Sequence, residues 1–135
     1  MKRFFVIVML AACGGETTAP APAHPAAPRF DARELAELAD GLFDVLDTMA
    51  AVVEAHPNDC PAMGRELSQL FDKAAPISAR VKIVAADKDG AAALAAEMRR
   101  HDAKAKTLDE RISNGLRPCA NDPDVRTAID KMPVF

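Results

Sequence analysis

Leu35-Ala36-Glu37-Leu38-Ala39-Asp40-Gly41-Leu42-Phe43-Asp44-Val45-Leu46-Asp47-Thr48-Met49-Ala50-Ala51-Val52-Val53 decides the fold class. Leu35, Leu42 and Met49 recur every seven residues, as do Leu38, Val45 and Val52, while Ala39, Leu46 and Val53 widen the stripe. Apolar residues at spacings of three and four line one side of an α-helix, so the stretch predicts an amphipathic helix over residues 30–55 with a bundle-type seam. Asp31 stands where an N-cap belongs, and Glu34 three residues on completes a capping-box pattern. The other side carries Glu37, Asp40, Asp44, Asp47 and Glu54. An acidic side of this kind is the solvated side of a helix. Gly41 costs about 1 kcal/mol against Ala in a helix interior, which suits close approach of a neighbouring helix.

Outward from this helix the same period returns twice. His56-Pro57-Asn58-Asp59-Cys60-Pro61 is a turn: Pro57 ends the first helix, Asn58 or Asp59 caps the next, and Pro61 fits its first turn. Met63, Leu67, Leu70, Ala74, Ile77, Val81 and Val84 then alternate spacings of four and three, predicting a second helix to about Ala85, bent at Pro76. Asp87-Lys88-Asp89-Gly90 has the Asp-x-Asp-Gly core of an EF-hand loop. Its first and twelfth ligand positions would be Ala85 and Ala96, which bind no calcium, so it reads as a turn with a capping Asp. Ala91, Leu94, Met98, His101, Ala105, Leu108 and Ile112 predict a third helix to about Asn114, stopped by Gly115. Its outer side is basic, with Arg99, Arg100, Lys104, Lys106 and Arg111, and pairing with the acidic first helix would use that charge. After the turn at Leu116-Arg117-Pro118-Cys119-Ala120, Asn121 or Asp122 caps a short fourth helix through Val125, Ala128, Ile129 and Met132. The expected fold is all-α: a small antiparallel up-down bundle of three long helices and a short fourth over residues 30–135.

Ahead of the bundle, Lys2-Arg3 precede the apolar run Phe4-Phe5-Val6-Ile7-Val8-Met9-Leu10, then Ala11-Ala12-Cys13-Gly14. A charged start, a short apolar segment and small residues at a cut site read as a secretory signal peptide. Spanning a bilayer needs about 20 apolar residues, so the run is too short for that. Leu10-Ala11-Ala12-Cys13 resembles the lipobox of bacterial lipoproteins. That resemblance covers about the first fifteen residues, and it implies removal of residues 1–12 and lipidation of Cys13, with the protein held on a membrane and facing the periplasm. An Asp after the cysteine resembles the inner-membrane retention signal of enterobacteria; Gly14 points instead to the outer membrane. Residues 13–29 form the rest of the lead-in. Glu16 to Arg29 holds four prolines among alanines, an extended polyproline-like tether reaching some 40 Å if fully drawn out.

Three cysteines become an even pair once Cys13 carries lipid. Cys60 and Cys119 then remain in an oxidising compartment, where a disulfide is expected. In an up-down bundle both fall in turns at the same end. Drawn together with His56 and Asp59 they also outline a zinc site, but two thiols in an exported protein favour the bridge.

Composition narrows the function. The chain has no Trp and no Tyr, so aromatic platforms for sugars or stacked bases are missing. Without Lys2 and Arg3, 15 basic residues face 20 acidic ones, a net charge of −5 with no basic stripe for a phosphate backbone. Nucleic acid is excluded as an expected partner. Ser68, Ser78 and Ser113 lack a nucleophile-elbow context, no Gly-rich loop suits phosphate, and the paired carboxylates lie on solvated sides. No enzyme and no cofactor is expected. Met49, Met63, Met98 and Met132 fall on apolar sides as packing residues. His101 is the one polar residue on an apolar seam, expected to be packed at the boundary; the alternative makes it an axial ligand for haem or a metal. At its depth Leu42 and Ala74 supply no second ligand, and Cys-x-x-Cys-His is absent. The leading expectation is a lipid-anchored periplasmic module that acts by binding or as structure, its partners the membrane and an envelope protein. In size, helical make-up and address it is similar to secretin pilotins, lipoproteins that hold a partner's peptide helix.

Overall fold

The computed structural model describes residues 29–132. The chain is all-helical over these residues: α1 Ala32–Ala55, α2 Cys60–Ala86, α3 Lys88–Arg99, α4 Asp102–Leu116 and α5 Pro123–Asp130, with a single 3₁₀ turn at Arg117–Cys119. Local chemistry accounts for the boundaries. Asp31 caps α1 by accepting from the Arg33 amide, and Asp59 caps α2 by accepting from the Ala62 amide. Asp87 caps α3 through the amides of Asp89 and Gly90, and Asp122 caps α5 through those of Asp124 and Val125. Proline stands in the first turn of both α2 and α5, where no intrahelical donor is lost. α2 continues unbroken through Pro76.

Two expectations are corrected. The third helix is two helices, so the bundle has five in place of three long and one short. The ladder changes at Arg100 and His101, whose amides reach back only three residues, to Glu97 and Met98. His101 stands at φ −107°, ψ 15° as the first residue before α4, and Asp102 occupies the first turn that follows. The apolar period runs through the break without a missed beat, which is why spacing alone reads one helix. Gly115 does not stop α4. It lies inside the helix against Val53 of α1.

Helix directions follow from the contacts. Glu34 of α1 pairs with Arg80 of α2, so those helices oppose each other with Gly41 beside Ile77. Asp47 and Glu54 meet Lys104 and Arg111, so α1 and α4 run the same way. Gly64 meets Asp124 and Asp72 meets Lys131, so α5 follows α2. The core falls into adjoining parts. One joins Met49, Val53, Met63, Leu67, Phe71, Cys119 and Val125; another joins Leu35, Leu38, Leu42, Val81, Val84 and Leu94. Phe43, Ala50 and Leu108 pack where α4 crosses α1. No side chain with a charge or an amide is buried among the described residues.

Candidate functional site

The cysteines are where sequence and structure meet most closely. Cys60 opens α2 and Cys119 closes the 3₁₀ turn, 59 positions apart, and they form a disulfide with a Cα–Cα separation of 5.3 Å. That is within the reach of an unstrained bridge. Cys119 is buried, and both cysteines pack on the cluster of Met49, Val53, Met63 and Leu67. Their zinc-like neighbours are otherwise engaged: Asp59 caps α2, and His56 Nε2 stands 3.0 Å from Glu66 Oε1. Cys13 and its lead-in lie outside the described residues.

His101 sits at the α3–α4 break, its side chain 33% exposed. Its ring stacks at a tilt on Phe43, centroids 4.8 Å apart, and Nε2 lies 3.7 Å from Asp40 Oδ1. Contacts on a face and at an edge describe a boundary residue that turns the chain over Phe43. Among the described residues no group of three or more His, Cys, Asp or Glu side chains is placed to hold a metal ion.

Charge is organised along the α1–α4 seam. Lys104 Nζ lies 2.8 Å from Asp47 Oδ2 and also stands over the Phe43 ring. Arg111 grips Glu54 with two bonds of 2.7 Å and approaches Asp47 at 3.6 Å. The Lys104 hydrogen bond holds the Asp47 carboxyl below its ordinary value, and the Arg111 bonds do the same for Glu54. Lys104 and Arg111 are raised in return. Of the basic side expected to meet α1, these two residues do so. Arg100, just past α3, pairs with Glu97 of that helix.

The structure adds a feature that the sequence reading missed, a groove of about 620 Å³ beside α2 where α5 ends. Phe71, Ala75, Ala79 and Met132 floor it, and Asp72, Lys82, Asp130 and Lys131 rim it. Its only sequence signal is a second apolar spacing on α2, hidden by the stronger buried one. No helix of the described residues is long and apolar enough to cross a membrane. Comparison of the chain with protein-family models, curated proteins and solved structures finds no match.

Proposed function

We propose that the protein is a lipid-anchored lipoprotein of the bacterial envelope, facing the periplasm and acting as a non-catalytic binding or structural module. The cysteine set carries the reading. Cys13 stands in Leu-Ala-Ala-Cys behind a charged and apolar leader, and the other two cysteines are joined to each other. A disulfide suits an oxidising compartment outside the cytosol, which is where a lipobox would send the chain. Gly14 favours the outer membrane. Acyl chains contribute about 0.8 kcal/mol per buried methylene, so two or three of them hold a protein stably on a bilayer.

The fold within this proposal is an antiparallel up-down bundle, with α3 and α4 together serving as its third arm. The pairings Glu34–Arg80, Asp47–Lys104, Glu54–Arg111 and Asp72–Lys131 support that order. Such a body at the end of a proline-rich tether presents helix surfaces to a neighbour in the envelope, as a pilotin-like module does. Replacing Cys13→Ala should abolish labelling by radioactive palmitate and release the protein from the membrane fraction. Labelling that persists in that variant would sink the anchor and the address with it.

A further inference from the structure

α5 covers only the first half of α2. It begins against Gly64, and its last turn reaches Asp72 through Lys131, 3.6 Å away. Beyond Asp72 the same side of α2 continues to Ala86 with Ala75, Pro76, Ala79, Lys82, Ile83 and Ala86 all exposed. Ile83 is 64% exposed and Met132 38%, the two exposed large hydrophobic residues of the described chain. Positions 72, 76, 79, 83 and 86 alternate spacings of four and three, the period of a seam that packs against another helix. α2 therefore carries two seams. Among the described residues one is filled by the core and the other is left open, with the 620 Å³ groove at its near end.

We propose that a second copy of this chain covers the open seam, α2 against α2 in an antiparallel crossing about a two-fold axis near Ala79. The surface is its own complement. Ile83 lies four residues to one side of Ala79 and Ala75 four residues to the other, so the axis sets each Ile83 against the partner's groove at Ala75. A projecting apolar side chain then fills an apolar hollow, twice. Charge follows the same symmetry. The rim holds two acids, Asp72 and Asp130, and two bases, Lys82 and Lys131. Among the described residues Lys82 and Asp130 form no ion pair within the chain. The two-fold carries each Lys82 towards the acidic end of the partner's rim. A strongly basic or acidic partner would find no net field on this balanced rim, whereas an identical copy brings its unpaired Lys82 opposite Pro76, one turn from the partner's acidic end. An isologous dimer requires that self-complementarity. The inference does not depend on the lipid anchor.

The test is photo-crosslinking in cells that produce the full chain, with p-benzoylphenylalanine at Ala86 and, as a control on an exposed side of α4, at Asp109. Copies carrying two different tags identify the adduct. The expected product joins Ala86 to the tryptic peptide Glu66–Lys73 of a second copy, and the Asp109 probe yields none. Ile83→Asp should lower the adduct about tenfold by placing a carboxylate in the apolar hollow at Ala75, and Lys82→Asp should do so by turning an attraction to the partner's acidic end into a repulsion. Lys82→Asp combined with Asp130→Lys, which exchanges the two unpaired charges of the rim and leaves the Asp72–Lys131 pair intact, should restore it. Ile83 is mostly in water, so Ile83→Asp keeps the monomer folded, as circular dichroism checks. An adduct with a different protein alone, no adduct, an adduct indifferent to Ile83→Asp, or a charge swap that fails to restore it overturns the proposal.

Discussion

Gly64 and Gly115 sit where a neighbouring helix leaves no room for a side chain. A methyl group at Gly64 would lie 2.6 Å from the backbone carbon of Asp124, and one at Gly115 would lie 2.4 Å from Val53 Cγ2. Backbone cannot swing aside as a side-chain tip can, so at Gly64 the whole of α5 would have to move. Gly64→Ala and Gly115→Ala should each destabilise by about 1–3 kcal/mol, the usual range for forcing a methyl into a packed site. Gly41 makes the contrast. There the added methyl meets only the Ile77 Cδ1 tip at 3.4 Å, so Gly41→Ala should be neutral or stabilise by up to about 1 kcal/mol. Urea unfolding of the three variants checks the order, and a Gly64→Ala protein as stable as the parent would refute the close approach of α5. Sequence pattern singled out Gly41 and read Gly115 as a stop, because a glycine announces only a missing side chain. Which neighbour needs the space is settled by tertiary packing.

Among the elements, α1 and α2 were the most legible and the α3–α4 pair the least. Two heptad lines on α1, an alternation of four and three on α2, and the caps and prolines at their ends define these helices, and the boundaries fall within two residues of expectation. The break at His101 leaves the apolar period intact and contains neither Gly nor Pro. Its trace is electrostatic: Arg99 and Arg100 close one helix and Asp102 opens the next, each at the favourable end of a helix dipole. The redirected α4 lays Lys104 and Arg111 along Asp47 and Glu54, and this seam sets a pH dependence. Both carboxyls titrate lower in the fold than their ordinary values of 3.8 and 4.5. Their contribution is therefore fully present above those values and is lost as pH falls through the lowered ones. Lys104 is raised above 10.5, so its share holds below that pH and fades as pH rises past the raised value. Asp87, lowered first by its bond from the Gly90 amide and then by Arg29, adds to the acid limb. The urea midpoint should stay flat across neutral pH and fall in acid. In Asp47→Asn/Glu54→Gln the acid limb should be shallower. An unchanged acid limb in that double variant would remove α1–α4 pairing as its cause.

At the scale of the whole molecule, the core of the described residues is three adjoining clusters, and the Cys60–Cys119 bridge ties the start of α2 to the turn that launches α5. This pairing was legible because an all-helical chain with two turn cysteines leaves few ways to place them, whereas the open seam on α2 was not, since the stronger buried spacing of the same helix hides it. Closing a loop of 59 positions contributes about 4 kcal/mol in the chain-entropy model. A domain of this size has about 5–15 kcal/mol in total, so the bridge supplies a large share. The loss should not spread evenly. α5 is eight residues long, too short to persist alone, and without the tie it is held by Val125 and Ala128 on the core, by the contact at Gly64 and by the Lys131–Asp72 pair. Cys60→Ala/Cys119→Ala should therefore lower stability by about 4 kcal/mol, and hydrogen exchange should show the amides of α5 losing protection before those buried between α1 and α2. Reducing the parent protein with dithiothreitol should reproduce both effects. If both thiols of the unreduced protein react with iodoacetamide, the bridge is absent in solution. If α5 instead keeps its protection in the double variant, the packing at Gly64 holds the helix and the bridge acts only on the unfolded chain.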